Sequence, residues 1–528
     1  MNHLYNMGKK DIIEKGLVSG GETQDEIDAN MKVITDQFPG VFTGLGRAKV
    51  EPIEIEIDPA VKPVQQKERR IALHYKERFK DHIDELKAAG VVEGPLTSKS
   101  AHSGWISNPV LTAKSYSDKR IRVKLDTRPM SEAVKQSHFP MPTPNELRHE
   151  FHGSDRFSTL DCNHAFHQFE LSNKSKDLYC FYTPWGLHRF KTLVMGVSSG
   201  SGECHERIRL ILQGLQGVVQ IKDGIVCHGN GREHDDRLKA LLSRLEEYNI
   251  TLRKEKCHFG TQEVKWFGNI YSKEGMSPDP DKVMALKKWD RPKDKTEVKS
   301  FLQTVQFCQV FMRPEKGRTY SDVTKPLRNL TVKSTRFDWT EECEASFKEL
   351  KNLLKSDKVM ANYDPKRETR LFVDDGPSGV GATVAQRYQP EEVDRVKLDH
   401  AVWRPVHYGS RAKIVSELNY GKVDGESLAI LSGILNNRMY LYGTKFTVVT
   451  DHQPLVSMYK SHSRDLPARV AKHKSKLRGF NFDVIYEAGH KNPSDYSSRH
   501  HPDAKEYSKE EMEDQGVEDE EEDAAILY

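Results

Sequence analysis

The spacing of apolar residues divides the chain into stretches of different texture. In Tyr75 to Gly90, YKERFKDHIDELKAAG, residues Phe79, Ile83 and Leu86 recur at helical intervals and the run stops at a glycine, which predicts an amphipathic helix with a glycine end. HDDRLKALLSRLEEYN repeats Leu at 238, 241, 242 and 245 and predicts a second helix, and HERIRLILQGL a third. Alternating EPIEIEIDPA, at 51 to 60, predicts one strand, and Ser103 to Leu125 short strands around the turn SYSDKRI. FSTLD is expected to be a strand, VVQI and IVC two strands flanking a turn, and EVKWFGNIYSKEG a hairpin. Residues 276 to 345 carry Pro278, Pro280 and Pro292, then the helical VKSFLQTVQFCQVF and a second helix after Trp339, an accessory helical unit. Beyond Ala361, LFVDD, VGATVAQR and RPVHYGSR read as three successive strands, GESLAILSGILNNRMYL as a helix and FTVVTD as a fourth strand. The natural packing is a twisted sheet of three antiparallel strands plus a neighbour, with helices laid on it.

Size turns this pattern into domains, because 528 residues exceed the roughly 250 to 300 at which one hydrophobic core stops growing. Lys and Arg number 81 against 78 Asp and Glu, a formal charge of +3, yet Glu506 to Asp523, EYSKEEMEDQGVEDEEED, concentrates acid at one end. The remaining body is more basic, as suits a protein that handles a polyanion, and the tail reads as a disordered, solubilising terminus. The seven cysteines, at 162, 180, 204, 227, 257, 308 and 343, include no CxxC pair, which argues against a disulfide framework and a structural zinc site and for free thiols. Cys204-His205 and Cys227-His228 fit no zinc spacing, and VSSGSG lacks the Lys-Ser/Thr of a phosphate loop. No apolar run approaches the roughly 18 residues of a membrane span, and MNHLYNMGKK lacks a signal-peptide core; a cytoplasmic or nuclear location, with no membrane partner, is the expectation.

Four carboxylates near the end of the chain occupy informative places. Asp374 closes the strand Leu371 to Val373, Asp451 closes the strand Phe446 to Thr450, Glu426 begins a helix and Asp495 follows the turn Gly489 to Pro493. Any one alone reads as a solvated cap. Together they suit two divalent ions about 4 Å apart, which need carboxylates converging from different elements and would otherwise leave those acids repelling one another. The basic run RVAKHKSKLRG, at 469 to 479, reads equally as a solvated helix or as a contact to phosphate backbone.

The blocks VDDGPSGVGATVAQ, VHYGSR, ELNYGKVDGESLAI, YLYGTKFTVVTDHQPL and GHKNPSDYSSR resemble, in order, the ribonuclease H domain of Ty3/gypsy-type long-terminal-repeat retrotransposons. The resemblance implies that Asp374, Glu426, Asp451 and Asp495 are catalytic and hold Mg²⁺, or Mn²⁺. Asp374-Asp375-Gly376 replaces the usual Asp-Ala-Ser and Asp424-Gly425-Glu426 the usual Glu-Lys-Glu; Asp375 is expected to disturb ion geometry by its extra charge.

Upstream, over residues 35 to 345, DELKAAGVVEG, WISNPVLTAK, RVKLDTRPM, HFPMPTPNEL, FSTLDCNHAFHQFEL and LRKEKCHFG…VKWFGNI resemble the reverse transcriptase of the same elements. The resemblance implies metal-binding acids at Asp161 and Asp223, a sugar-sensing aromatic at Phe166, triphosphate-holding cations at Lys114 and Arg122, a proton donor at Lys256 and a primer-grip turn at Phe267-Gly268. In the turn Ile221-Lys222-Asp223-Gly224, however, Gly224 stands where the family has a second acid. From Val194 to His205 little but Gly196 is kept of the family's Pro-Phe-Gly-(Leu or Ile)-x-x-Ala-Pro-x-x-Phe-Gln, so the nucleotide floor is expected to be loosened.

The expected architecture is α+β: a right-hand reverse transcriptase-like fingers, palm and thumb, followed by an α/β ribonuclease H-like domain. Its expected boundaries are 1–60 N-terminal extension, 61–275 fingers and palm, 276–360 thumb- or connection-like helices, 361–503 ribonuclease H-like domain and 504–528 acidic tail. The expected activity is hydrolysis of the RNA strand of RNA-DNA hybrids, with RNA-directed DNA polymerase activity lost or weak. RNA-DNA hybrid, RNA template and DNA primer are the partners implied. The alternatives are a non-enzymatic nucleic-acid-binding or interaction protein that retains the fold, and an active polymerase using Asp161 and Asp223. Neither an Asp-Thr/Ser-Gly protease centre nor a His-His-Cys-Cys integrase head is found, which suggests the interior of a transposon polyprotein.

Overall fold

The computed structural model describes residues 23–97, 104–113, 121–135, 139, 142–194, 196, 199–312, 319–353, 360–389, 402–461 and 466–487. The chain divides into two units, Met1–Val264 and Lys265–Tyr528. The acidic tail lies outside the described residues.

In the first unit, helix α1 (Gln24–Asp36) appears in a stretch whose polar composition gave no sign of it. Thr23 and Glu26 close a capping box at its start, and Ile27, Met31 and Ile34 form its buried face. The alternation at 51 to 60 does not make the expected strand. Ile53 and Ile55 are buried, but pairing is limited to single bridges from Ile53 to Leu171 and from Ile57 to Val134, each closed by a pair of backbone hydrogen bonds and carried no further. Helix α2 (Leu73–Ala88) buries Phe79, Ile83 and Leu86 as their spacing requires, and Gly90 follows with φ +68°, a left-handed residue that suits glycine. Then come β1 (Val92–Leu96), β2 (Ile106–Ser107) and the antiparallel pair β3 (Pro109–Ala113) and β4 (Ile121–Leu125).

Strand β5 (Arg156–Asp161) leads to β6 (Cys180–Thr183) and β7 (Gly186–Phe190), which join β1 and β2 in a sheet of order β1-β7-β6-β2. Helix α3 (Gly200–Leu212), strands β8 (Val218–Ile221) and β9 (Gly224–Gly229), helix α4 (Gly231–Glu247) and β10 (His258–Thr261) follow. The second sheet, of order β10-β5-β9-β8, carries α4 against β5 and β9. Leu238, Leu241, Leu242 and Leu245 are all fully buried there; at roughly 1.5 to 3 kcal/mol for each buried leucine, this face anchors the sheet and with it the end of β5.

In the second unit the expected hairpin gains a strand: β11 (Glu263–Trp266), β12 (Asn269–Ser272) and β13 (Gly275–Pro278) form a small sheet in that order. Among the described residues four helices follow where the sequence suggests two: α5 (Pro280–Lys287), α6 (Lys295–Phe307), α7 (Tyr320–Leu330) and α8 (Glu341–Leu353). Pro326 lies inside α7, but Thr319 caps the helix and Val323, Leu327 and Leu330 bury one face, which offsets the missing donor.

Beyond them lie β14 (Thr369–Asp375), β15 (Gly379–Tyr388), β16 (Val402–Ala412), helix α9 (Lys422–Asn436), β17 (Lys445–Thr450), helices α10 (Gln453–Lys460) and α11 (Ala468–Lys476), and β18 (Asn481–Tyr486). The sheet has five strands in the order β16-β15-β14-β17-β18, one more than the sequence suggests. β16, β15 and β14 pair antiparallel, whereas β14 with β17 and β17 with β18 are parallel. Helix α9 packs on β14 and β15, closing a core of Leu371, Val373, Val384, Leu428, Ile430 and Ile434. It begins at Lys422, so Glu426 lies in its second turn and not at its start. All seven cysteines are free and buried, and among the described residues no helix is long and apolar enough to cross a membrane.

Candidate active centres

Asp161 ends β5, and its Cα partner across the antiparallel ladder is Gly224, the first residue of β9. Gly224 is paired in turn with Ile221 of β8, so Lys222 and Asp223 form a two-residue turn. Lys222 takes φ +56°, a left-handed conformation uncommon for a side-chain-bearing residue. The turn is held from below: the Lys222 N–H donates to His205 Nδ1 at 3.2 Å, and Gln220 Nε2 donates to the carbonyls of Lys222 (2.6 Å) and His205 (3.1 Å). Burial lowers the His205 pKa, which keeps the imidazole in the neutral form able to accept that bond. In the sequence Cys204-His205 departs from the family pattern; in the fold His205 supports the turn that carries Asp223.

Lys256 Nζ lies 3.4 Å from Asp161 Oδ2, a partly exposed pair. Burial, then the neighbouring Cys204 and the carboxylates of Asp223 and Asp161, push up the pKa of the Cys162 thiol. Phe166 sits in a single 3₁₀ turn, Ala165–Gln168, pinned by a residue the sequence did not single out. Fully buried Gln168 donates from Nε2 to the carbonyls of Asn163 (2.7 Å) and Thr251 (2.9 Å), while its Oε1 accepts from the Thr251 N–H (2.7 Å). Gln168→Ala strands these backbone groups and is expected to cost about 1 to 3 kcal/mol, read as a fall in melting temperature. Arg122 is exposed on β4, whereas Lys114 lies outside the described residues. Phe267 and Gly268, both at positive φ, form the turn between β11 and β12.

In the second unit the parallel register pairs Phe372 with Val449, and Asp374 and Asp451 each lie two residues further along. Neighbouring strands run about 4.8 Å apart, so the two acids leave the sheet side by side. Glu426 comes to them from α9 with its carboxylate wholly buried. Lys422 Nζ stands 2.8 Å from Glu426 Oε1 as an ion pair, and neither oxygen accepts a well-directed hydrogen bond among the described residues. Burial, reinforced by the charges of Asp451 and Asp374 and opposed by Lys422, pushes the Glu426 pKa up to about 7. Asp495 lies outside the described residues, and among the described residues no three His, Cys, Asp or Glu side chains are close enough to hold one ion as they stand. A buried carboxylate paired, among the described residues, only with Lys422, and raised in pKa by two further acids, nevertheless suits a divalent cation, which would add ligand bonds and cancel the repulsion.

Asp375 does not behave as expected. Its carboxylate is directed at Lys413, with Nζ 2.6 Å from Oδ1 and both side chains less than a tenth exposed, so the extra charge is neutralised inside the fold. Gly425 makes room for it: a Cβ there would lie 2.1 Å from Asp375 Oδ2. The two departures from the family pattern, at 375 and 425, are one packing solution.

Residues 113–271 match the family of reverse transcriptases (RNA-dependent DNA polymerase), and residues 364–480 match the RNase H-like domain found in reverse transcriptase. The transposon Tf2-3 and Tf2-4 polyproteins of Schizosaccharomyces pombe are each 28% identical over 377 residues, 70% of this chain and 27% of theirs. The chain carries the reverse transcriptase and ribonuclease H-like domains of a Ty3/gypsy-type retrotransposon. It spans about a quarter of the length of those curated polyproteins. This retrotransposon pair of domains shares its α+β fold with foamy viral protease-reverse transcriptase. The structure of that protein with dsDNA gives a TM-score of 0.73 at 16% identity, covering 91% of this chain and 96% of that one. Its structure with RNA/DNA hybrid gives 0.70 at 16% identity, covering 91% and 62%.

Proposed function

We propose that the chain hydrolyses the RNA strand of RNA-DNA hybrids at Asp374, Glu426 and Asp451, with Asp495 as a fourth acid, and that its polymerase centre is inactive or weak. The observation that carries this reading is the buried Glu426 carboxylate, whose only charged partner among the described residues is the half-exposed Lys422 and whose pKa is raised by burial and by Asp451 and Asp374. Such an arrangement is costly unless a cation completes it. Mg²⁺, or Mn²⁺, would supply an activated water and stabilise the leaving oxygen. The protein's part is placement: β14 and β17 hold two acids in register, α9 brings the third, and the closed core beneath them keeps the site rigid. Val470 and His473 bury one side of α11 and leave Lys472 and Lys476 exposed, positioned to take phosphate backbone. Recognition through backbone and shape implies little sequence preference and strong salt dependence. RNA-DNA hybrid, to which the foamy viral relative is bound in one of its structures, is the partner proposed for this site.

At the other centre Asp161, Asp223 and Lys256 remain, but the side-chain position facing Asp161 is empty of an acid because residue 224 is glycine. The deciding experiment is cleavage of a labelled RNA strand within a hybrid, in Mg²⁺ and in Mn²⁺, beside Asp451→Asn. Cleavage by the parent and loss of about 100-fold or more in the variant is expected, since even groups that only orient metal ligands are worth 10- to 100-fold. Equal rates in the two proteins would refute the assignment.

A further inference from the structure

The family match for the nuclease begins at residue 364, yet a side chain well before it reaches into the centre's framework. At the start of α7, Asp322 and Thr319 form a capping box. Asp322 Oδ2 accepts from the Thr319 N–H at 2.6 Å and its hydroxyl at 2.8 Å, and Thr319 Oγ1 accepts from the Asp322 N–H at 3.2 Å. Such a carboxylate ordinarily serves its own helix. Here the second oxygen, Oδ1, accepts from the Ser378 N–H at 2.7 Å and also from the Ser378 hydroxyl. Ser378 lies in the turn between β14 and β15, immediately after Asp374 and Asp375, and the turn is closed by Gly376 N–H donating to the Gly379 carbonyl at 2.9 Å.

The approach is close on both sides. A Cβ at Gly376 would lie 2.5 Å from Asp322 Oδ2, and one at Gly379 would lie 2.7 Å from Ser321 Cβ. From this turn the connection continues inward. The Ser378 carbonyl accepts from the Lys413 N–H at 2.9 Å, and Lys413 Nζ pairs with Asp375. Asp375 in turn fills the space beside Gly425, the residue before Glu426.

We propose that Asp322 is a positioning residue of the nuclease centre, so that the helical segment ahead of residue 364 is part of the working site. The proposal rests on the hybrid-cleavage reading above. Asp322 fixes the backbone on which Asp374 stands, and through Ser378, Lys413 and Asp375 it sets the spacing between β14 and α9, hence between Asp374 and Glu426. Ligand spacing governs cation affinity, and groups that orient metal ligands typically carry 10- to 100-fold of it.

The test uses the full chain with Asp322→Ala, Asp322→Asn and Ser378→Ala. Mn²⁺ binding is titrated directly by electron paramagnetic resonance, with Asp451→Asn as background, and hybrid cleavage is followed against Mg²⁺ concentration. Expected for Asp322→Ala are Mn²⁺ binding weaker by roughly tenfold and a matching rise in the half-saturating Mg²⁺. The KM for hybrid should stay unchanged and the rate should recover at high Mg²⁺. Asp322→Asn, which keeps one acceptor oxygen, should fall between. A purely structural role would lower the active fraction without moving the Mg²⁺ curve, and unchanged Mn²⁺ and Mg²⁺ curves overturn the proposal. If Asp322→Ala fails to fold, Ser378→Ala, which deletes one hydroxyl bond, decides on the same readouts. A parent that binds Mn²⁺ through Asp451 but cleaves nothing defeats the hybrid-cleavage reading while leaving the binding comparison decisive. A parent without Asp451-dependent Mn²⁺ binding overturns both.

Discussion

Glu426→Gln is expected to abolish hybrid cleavage and, at the same time, to raise the melting temperature of the metal-free protein. The loss follows from removing a charged ligand at the centre of the site, worth about 100-fold or more, since groups that only orient metal ligands are already worth 10- to 100-fold. The gain follows from the same burial. Glu426 is wholly buried, and despite its pairing with Lys422 its pKa rises from 4.5 to about 7. Between these two values the folded state binds the proton more tightly than the unfolded state. Stability of the chelated protein is therefore fullest near pH 4.5 as far as this group is concerned, and falls as pH rises toward 7. The slope approaches about 1.4 kcal/mol per pH unit in mid-window. Glutamine cannot ionise, so the slope should vanish in the variant. Cation binding requires the ionised form, so Mg²⁺ affinity of the parent should climb with pH up to about 7 and level off above it. Melting curves from pH 4.5 to 8, with chelator and with Mg²⁺, check all of this; a pH slope that persists in Glu426→Gln would place its origin in another group.

Gly224→Asp is expected to raise primer extension on an RNA template, on the order of tenfold or more, by restoring electrostatic stabilisation at the reacting phosphate. Directly opposed residues of an antiparallel pair project to the same face, with Cβ atoms about 5 Å apart. An acid at 224 thus lands beside Asp161. The position is already extended within β9, so the substitution asks for no unusual backbone. Two neighbouring carboxylates repel, and the variant should melt lower than the parent in chelator and recover in Mg²⁺. Unchanged extension, with that Mg²⁺-dependent recovery present, would show that a restored ligand is insufficient and move the defect to the stretch from Val194 to His205.

Legibility in the sequence varied with the kind of signal. The leucine repeat of α4 and the Phe79–Ile83–Leu86 face of α2 were readable because one-sided burial leaves a period. β18 was not, since it lies at the sheet edge and only Val484 along it is buried, so alternation had little to mark. The helix α9 was readable from GESLAILSGIL, but not its first turn from Lys422; only the structure reveals that the space beside Gly425 is taken by Asp375. At the proposed nuclease centre Asp374, Glu426 and Asp451 were nameable from the family resemblance, while the contacts of Asp375 and Asp322 join segments far apart in sequence. His205 and Gln168 follow the same rule, as their value lies in the backbone groups they meet.

The sealed thiols described with the fold make the chain a ready-made opening sensor. Five of the seven, Cys162, Cys180, Cys204, Cys227 and Cys257, lie in the first unit, and Cys308 and Cys343 lie in the second. Burial holds at least Cys162, Cys180, Cys204, Cys227, Cys257 and Cys308 in the unreactive protonated form. A disulfide reagent therefore labels a cysteine only when its surroundings part, and mapping the modified peptides over time assigns an opening rate to each half of the molecule. The same silence leaves the surface free for one deliberate handle: Val415→Cys, at a side chain 82% exposed, should take up a dye while the native thiols stay dark.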